Sequence, residues 1–243
     1  MRACVFSDVH GNLHALEAVL DAVDAEEPDQ IWCLGDLVGY GPRPNECCRL
    51  VAERTTLCLV GNHDLAVLGR IELDEFTPEA AESARWTQTV LEGDARAFLH
   101  ALTPSASRAG VGLYHASPSD PVWQYVLSEE AAAEAFDATD EPLVLVGHSH
   151  IPLAFWLESG GIAGGVAYDG AEVDLAAADR WLLNPGSVGQ PRDGDPRATF
   201  LVLDLDAGSA RFRRVPYAVA QTQAEILELG LPATLATRLA EGV

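Results

Sequence analysis

Aspartate, asparagine and histidine recur at five places in the sequence in a way that suits metal chemistry. Asp8 and His10 stand in SDVHGN, Asp36 in GDL, Asn62 and His63 in GNHD, His115 in YHA, and His148 and His150 in GHSH. Each motif has an ordinary explanation when taken singly. An Asp-x-His at a strand end can be a turn with a satisfied histidine, and GNHD can be an Asx-turn leading into a helix capped near Asp64. His115 can be a hydrogen-bonded core histidine. Their joint occurrence decides the matter. Six of the seven histidines lie in or beside these motifs or at the first helix, and only His100 lies far from them. Every motif follows an apolar run, so ligand types spread from Asp8 to His150 converge if those runs are strands sharing a sheet edge. Mixed nitrogen and oxygen donors suit Mn²⁺, Fe or Zn²⁺ better than Ca²⁺ or Mg²⁺ alone.

The surrounding pattern supplies such strands. Arg2 to Ser7 reads as a short buried strand. After it, Leu13, Leu16, Val19, Leu20 and Val23 recur at helical spacing, and Pro28 closes the helix. Gln30 to Leu34 is a second strand, Asn45 to Arg54 a helix and Thr56 to Val60 a third strand. Strand, loop and helix in repetition predict a parallel sheet with crossover helices. Polar residues cluster just past each strand, where open α/β sheets place their sites. Leu65 to Leu102 reads as helical, broken at Glu92-Gly93-Asp94. Val111 to Tyr114 and Leu143 to Val146 are further strands, with a helix over Ser128 to Phe136 between them. Beyond His150 come short β-rich segments at Ala154 to Glu158, Gly165 to Tyr168, Arg180 to Leu183, Thr199 to Leu205 and Arg211 to Tyr217. They are expected to be consecutive antiparallel strands. One or two helices then fill Gln221 to Leu239. The expectation is one α/β domain over residues 1–243, two sheets packed together with helices outside, a helical insertion at 65–102 and a helical tail at 221–243.

The formal net charge is −22, and all fifteen basic residues are arginine. The lack of lysine excludes a Schiff-base lysine and a Walker A lysine. Such acidity also opposes binding of bulk nucleic acid, whose affinity comes mainly from cationic contacts to phosphate. An anionic substrate must be attracted locally, and bound divalent cations would reverse the field where it matters. No apolar run approaches the ~18 residues of a membrane span, and the N-terminal stretch lacks the apolar core of a secretory signal. The chain is therefore expected to be cytoplasmic. Its five cysteines form no C-x-x-C pair and read as small buried hydrophobes in a reducing compartment.

The ordered set SDVHGN, GDLVGYG, VGNHD, YHASP and VGHSHIP resembles the calcineurin-like metallophosphoesterases from Arg2 to Pro152. The stretch NPGSVGQPRDGDPRA, Asn184 to Ala198, is similar to their bacterial branch that contains small phosphodiesterases. The resemblance implies a four-layer α-β-β-α sandwich, two mixed β-sheets flanked by helices. It implies two divalent transition-metal ions, Mn, Fe or Zn, with Ni or Co as substitutes in vitro. Asp8, His10, Asp36 and His150 would hold one ion. Asp36, Asn62, His115 and His148 would hold the other, with Asp36 bridging. Two cations ~3.5–4 Å apart need such a shared anionic oxygen. The implied reaction is in-line attack of a metal-bridging hydroxide on phosphorus. His63 would not ligate metal but would assist the leaving group as general acid or hydrogen-bond donor.

One departure stands out. Relatives that dephosphorylate proteins usually carry Asp and Arg at the places held here by Gly39 and Tyr40, the first to orient the catalytic histidine and the second to grip phosphate. Protein phosphatase activity is therefore not expected, and Asp64 becomes the candidate to orient His63. Arg192 and Arg197, in a Gly/Pro/Asp-rich loop, are candidates for phosphate contact; the alternative is pairing with Asp193 and Asp195. Trp123 and Tyr125 read as core packing, with base stacking or an apolar pocket as the alternative. Pro185-Gly186-Ser187-Val188-Gly189 lacks the first glycine of a nucleophile elbow, so a serine hydrolase is discounted. The expected function is a phosphodiesterase acting on a small or nucleotide-like diester, with phosphomonoesterase or nucleotide pyrophosphatase as enzymatic alternatives. A small phosphate ester is the expected partner, with neither membrane nor bulk nucleic acid. A metal-binding interaction scaffold is the rival from another class, and the complete ligand set argues against it.

Overall fold

Residues 1–243 are described by a computed structural model, and the first strand, β1 (Arg2–Phe6), shows how its layers arise. Successive side chains of a strand point to opposite faces. Ala3 and Val5 enter a core with Trp32, Leu113, Leu145, Leu183 and Leu201, while Cys4 and Phe6 pack beneath α1 (Leu13–Asp24) and α2 (Pro44–Arg54). With both faces buried, β1 needs the continuous apolar run that the sequence shows. β2 (Gln30–Cys33) and β3 (Leu57–Cys58) extend the sheet in parallel. On its other side β1 pairs antiparallel with β11 (Ala198–Asp204), followed by β12 (Ser209–Val215) and β9 (Glu172–Asp174).

The second sheet runs β4 (Ser105–Arg108), β5 (Val111–Tyr114), β6 (Leu143–Leu145), β10 (Arg180–Pro185), β7 (Pro152–Glu158) and β8 (Gly161–Val166). Its outer face packs on α6 (Glu129–Asp137) through Ala132, Ala135 and Phe136. The order is thus helices, sheet, sheet, helix, as the family resemblance implied. No helix is long and apolar enough to cross a membrane.

Two expectations need correction. The strands after His150 are not all consecutive antiparallel neighbours. β10 inserts beside β6 in parallel, and β11 crosses to the first sheet. Hydrophobic alternation reports burial of a strand but not its partner. The stretch Leu65 to Leu102 is three helices, α3 (Asn62–Val67), α4 (Pro78–Val90) and α5 (Gly93–His100), with a non-helical segment over 68–77. Pro78 in the first turn and the Thr77 hydroxyl accepting from Ala80 N mark a new helix start that the alanine-rich composition hides. The short edge strands β4 and β9 carry too few apolar residues to be read as strands.

The C-terminal helices α7 (Val219–Glu228) and α8 (Ala233–Glu241) pack through Ile226, Leu235 and Leu239 against Tyr40 and Ala80. Thr222 Oγ1 donates to Asn12 Oδ1 at 2.9 Å, so this hairpin backs the first loop of the site. The loop between β10 and β11 is tied down by charge. Arg214 pairs with Asp193, both side chains being about 95% buried (5% and 6% exposed), and its Nε lies 3.6 Å from Asp195. Removing one partner of a buried pair strands the other charge and typically costs 3–5 kcal/mol. Asp193→Ala is therefore expected to lower unfolding stability by about 3–5 kcal/mol, read from the midpoint of chemical denaturation. An unchanged midpoint would show that this pair does not hold the loop.

Candidate metal centre

The predicted ligand residues come from loops that zip together before any side chain is considered. Asp8 N donates to Gly35 O (3.0 Å), His10 N to Asp36 O (2.9 Å) and Gly147 N to His115 O (2.8 Å). The loops following β1, β2, β5 and β6 thus share backbone hydrogen bonds. To bend their side chains inward they adopt unfavourable conformations. Eight non-glycine residues have positive φ, and five of them are Asp8, His10, Asp36, His148 and His150; Tyr40 is a sixth. Each costs about 1 kcal/mol, so the concentration at one site is a functional signature.

Asp8, His10 and His150 gather in one group and Asp36, His115 and His148 in another, all buried, with ligand atoms within 4.8 Å of one another in each. Asp36 Oδ2 stands between them, 3.7 Å from His10 Nε2 and 3.5 Å from His115 Nε2, and it has no hydrogen-bond partner. The other oxygen of Asp36 accepts from His63 N at 2.9 Å. Asn62 Oδ1 lies 3.3 Å from His115 Nε2. His63 also falls within 4.8 Å of His10 and Asp36, so distance by itself does not separate it from the ligand candidates.

The lone pairs test whether these residues fit cations. His10 Nδ1 is 3.0 Å from Val38 O, His115 Nδ1 is 2.9 Å from Leu34 O and His150 Nδ1 is 2.7 Å from Gln190 O. Each neutral ring therefore carries its proton on Nδ1 and turns the Nε2 lone pair inward, the arrangement typical of histidine ligands. His10 Nε2 and His150 Nε2 then face each other at 3.0 Å as two acceptors. His115 Nε2 and Asn62 Oδ1 repeat the conflict at 3.3 Å, and His148 Nε2 is buried without a partner. Unshared buried acceptors are costly, and a cation among them removes the conflict. Burial also pushes the Asp8 carboxyl up to about 7 and Asp36 well above the usual range, while it holds His10 and His150 far below theirs and His148 down to about 2. The donor set fits divalent metal ions.

Other predicted residues fare differently. Asp64 does not orient His63. Its oxygens accept from Leu37 N (2.9 Å), Val38 N (3.1 Å) and Gly61 N (3.0 Å), clamping the Asp36 loop to the Asn62 loop. From the third position of α3 it faces the backbone behind the site. His63 Nδ1 has no partner, and the ring is held by packing, 4.4 Å from Tyr40, 4.8 Å from His10 and 5.0 Å from Phe76 between centroids. Arg197 does not join the cluster, because Asp195 (2.6 Å) and Asp169 (2.9 Å) take up its guanidinium. Arg192 has no carboxylate partner. It donates to Gln190 Oε1 (2.9 Å) and Tyr40 OH (3.3 Å), and its Nε is buried without an acceptor.

Sequence reading missed the supporting residues. Asn184 donates to Gly147 O (2.7 Å) and Ser149 Oγ (2.9 Å), and Ser187 Oγ donates to Asp8 O (2.9 Å). The polar NPGSVGQ segment at the end of an apolar strand was the available signal. It braces the ligand loops and supplies no nucleophile.

Comparison with known proteins agrees with this geometry. The model of the calcineurin-like phosphoesterase superfamily domain matches residues 1–208. A metallophosphoesterase from Sphaerobacter thermophilus shares 44% identity and superposes with a TM-score of 0.90 over 100% of this chain and 99% of that one. An uncharacterised protein of Methanocaldococcus jannaschii is 37% identical over 240 residues, 97% of this chain and 96% of that protein. A symmetrical bis(5'-nucleosyl)-tetraphosphatase of Erwinia tasmaniensis is 39% identical over 71 residues, only 28% of this chain and 26% of that enzyme.

Elemental analysis is expected to find close to two transition-metal ions per chain, and Asp36→Asn to lose both. A single ion retained by Asp36→Asn would refute the shared-ligand arrangement. Because Asp8 keeps its proton below about 7 in the metal-free pocket, that proton must leave before a cation binds. Affinity for Mn²⁺ should therefore weaken as pH falls through 7, by roughly tenfold per unit for one displaced proton. Calorimetric titration between pH 6 and 8 measures this, and a flat profile would contradict it.

Proposed function

The chain belongs to the calcineurin-like phosphoesterase superfamily, metal-dependent phosphoric ester hydrolases, and from that premise we propose that it is a phosphodiesterase with a dinuclear centre. In this reading Asp8, His10, Asp36 and His150 would hold one cation, and Asp36, Asn62, His115 and His148 the other, with Mn, Fe or Zn as the native metal. The observation that carries this reading is the partnerless Asp36 Oδ2 between His10 and His115. Divalent cations at such a site lower the pKa of coordinated water and neutralise charge on phosphate oxygens.

The chain's own residues do the rest. His63 faces the departing alcohol. Burial holds its pKa well below the ordinary histidine value, and His10 and Arg192 push the same way. The ring is accordingly neutral at pH 7, which favours hydrogen-bond donation to the leaving oxygen over full proton transfer. Its support is a wall of rings instead of a carboxylate, which fits a role of directional donation. Arg192 reaches the site across Tyr40, its Cζ 5.8 Å from the ring centroid. It thus brings a guanidinium beside the position where protein phosphatases carry theirs. We assign it to a phosphate oxygen, a contact that its lack of an acidic partner supports. Arg197 takes no such role in this reading.

A small or nucleotide-like diester is the substrate class. With Gly39 and Tyr40 in place of Asp and Arg, Arg192 is the one fixed charge assigned to phosphate, which suits a singly charged diester better than a dianionic monoester. The partial similarity to a bis(5'-nucleosyl)-tetraphosphatase favours cleavage of a nucleotide phosphoanhydride as the second reading.

His63→Ala is expected to retain both metals yet lose rate by ~10²–10³, the effect of removing one transition-state hydrogen-bond donor, with a smaller loss for nitrophenyl esters, whose leaving groups need little help. Loss of metal instead would move His63 into the ligand set. kcat/KM for a bis-aryl diester should equal or exceed that for the matching monoester. A monoester preference of tenfold or more, about 1.4 kcal/mol, abolished by Arg192→Ala, would make the enzyme a monoesterase gripped by Arg192.

A further inference from the structure

The loop after β5 approaches the metal centre in a pinned conformation. Asp120 Oδ1 accepts from Val122 N (3.0 Å) and Trp123 N (3.1 Å), an Asx-type turn. Val126 is buried against the α6 core. Between these anchors the Tyr125 ring lies flat on His148, with centroids 4.1 Å apart and planes at 25°. Trp123 packs on the edge of Phe76 at 5.3 Å, and Phe76 on the edge of His63 at 5.0 Å. One short loop thus touches a ligand candidate directly and approaches His63 through Phe76 of the 68–77 segment.

Sequence reading placed Trp123 and Tyr125 in the core. Trp123 is only half-buried, and Tyr125 is 46% exposed. With one face on His148, Tyr125 turns its other face to solvent. Single exposed aromatics are ordinary on protein surfaces. This one sits on a ring of the centre itself, between the Asp120 turn and buried Val126, and it lies two residues along the loop from Trp123, which packs on Phe76 and so leads to His63. An apolar, planar surface ordered in advance of binding loses little entropy when a flat ligand settles on it.

We propose that Tyr125, Trp123 and Phe76 form an aromatic shelf that receives a planar aromatic group of the substrate, a nucleobase or aryl group carried by the ester. The proposal rests on the phosphoesterase reading, since the shelf adjoins that centre. Stacking responds to any π-face, so the shelf selects aromatic over aliphatic esters while distinguishing little among bases.

The test is calorimetric titration of the Mn²⁺-loaded protein with adenosine 5'-monophosphate and with ribose 5-phosphate, which share sugar and phosphate and differ in the base. The nucleotide is expected to bind about tenfold tighter, about 1.4 kcal/mol. Tyr125→Ala and Trp123→Leu should each narrow that ratio, and Tyr125→Phe should keep it. Equal affinities in the wild-type protein, or a ratio that both truncations leave unchanged, would overturn the shelf. Hydrolysis of an aliphatic phosphate ester by the wild-type protein reports separately on the phosphoesterase reading. The two can therefore fail independently.

Discussion

Asp8 and Asp36, with the rings of His10, His63, His115, His148 and His150, are shut away from water in one small volume. Several of their lone pairs face one another with no proton between. His10 Nε2 meets His150 Nε2, and His115 Nε2 meets Asn62 Oδ1, because the opposite nitrogen of each of these rings is committed to a backbone carbonyl. A protein interior tolerates such a collection only if something positive is shared among its members. That requirement explains why a chain of net charge −22 can bind an anion here. It also explains why the surrounding scaffold must be rigid, since relaxed loops would turn the acceptors apart toward water.

Rigidity comes from two layers of backbone organisation. The apolar strands of both sheets end at a common edge, and the loops leaving them hydrogen-bond to each other. Behind these loops, Asp64, Asn184 and Ser187 spend their polar atoms on the backbone of the ligand loops. Left-handed conformations at Asp8, His10, Asp36, His148 and His150 are the energetic cost of aiming side chains inward from so many loop turns. They persist because the backbone around each is held on both sides.

Gly39 and Tyr40 shape the surroundings of His63. Gly39 has φ +82°, and a Cβ there would stand 2.6 Å from His63 Nδ1. The histidine ring therefore fills space that a side chain at this position would claim. Orientation by a carboxylate is replaced by orientation through ring packing among Tyr40, His10 and Phe76. Packing sets the plane of the ring without raising its basicity, which accords with burial keeping His63 neutral. Arg192 enters from the loop after β10 and rests on the Tyr40 phenol.

Much of the fold and most of the site were legible without coordinates. A buried strand, an amphipathic helix and a polar turn after each strand are local patterns, governed by side-chain alternation and by helical spacing. For that reason β1, α1, β5 and the candidate ligands from Asp8 to His150 could be read directly from residue types in order. What the sequence did not determine involves choices between partners far apart in the chain. Arg192 and Arg197 are five positions apart in one loop, yet Asp169 and Asp195 engage the second while no carboxylate meets the first. Asp64 is adjacent to His63 but turns to the Asp36 loop, because the first turn of α3 points the two side chains in different directions. Tyr125 looked like core and lies open on His148. β10 slots beside β6, with the antiparallel β7 on its other side. In each case residue type and spacing limit what a side chain can do. Which neighbour it meets is decided by how the two sheets and their loops come together.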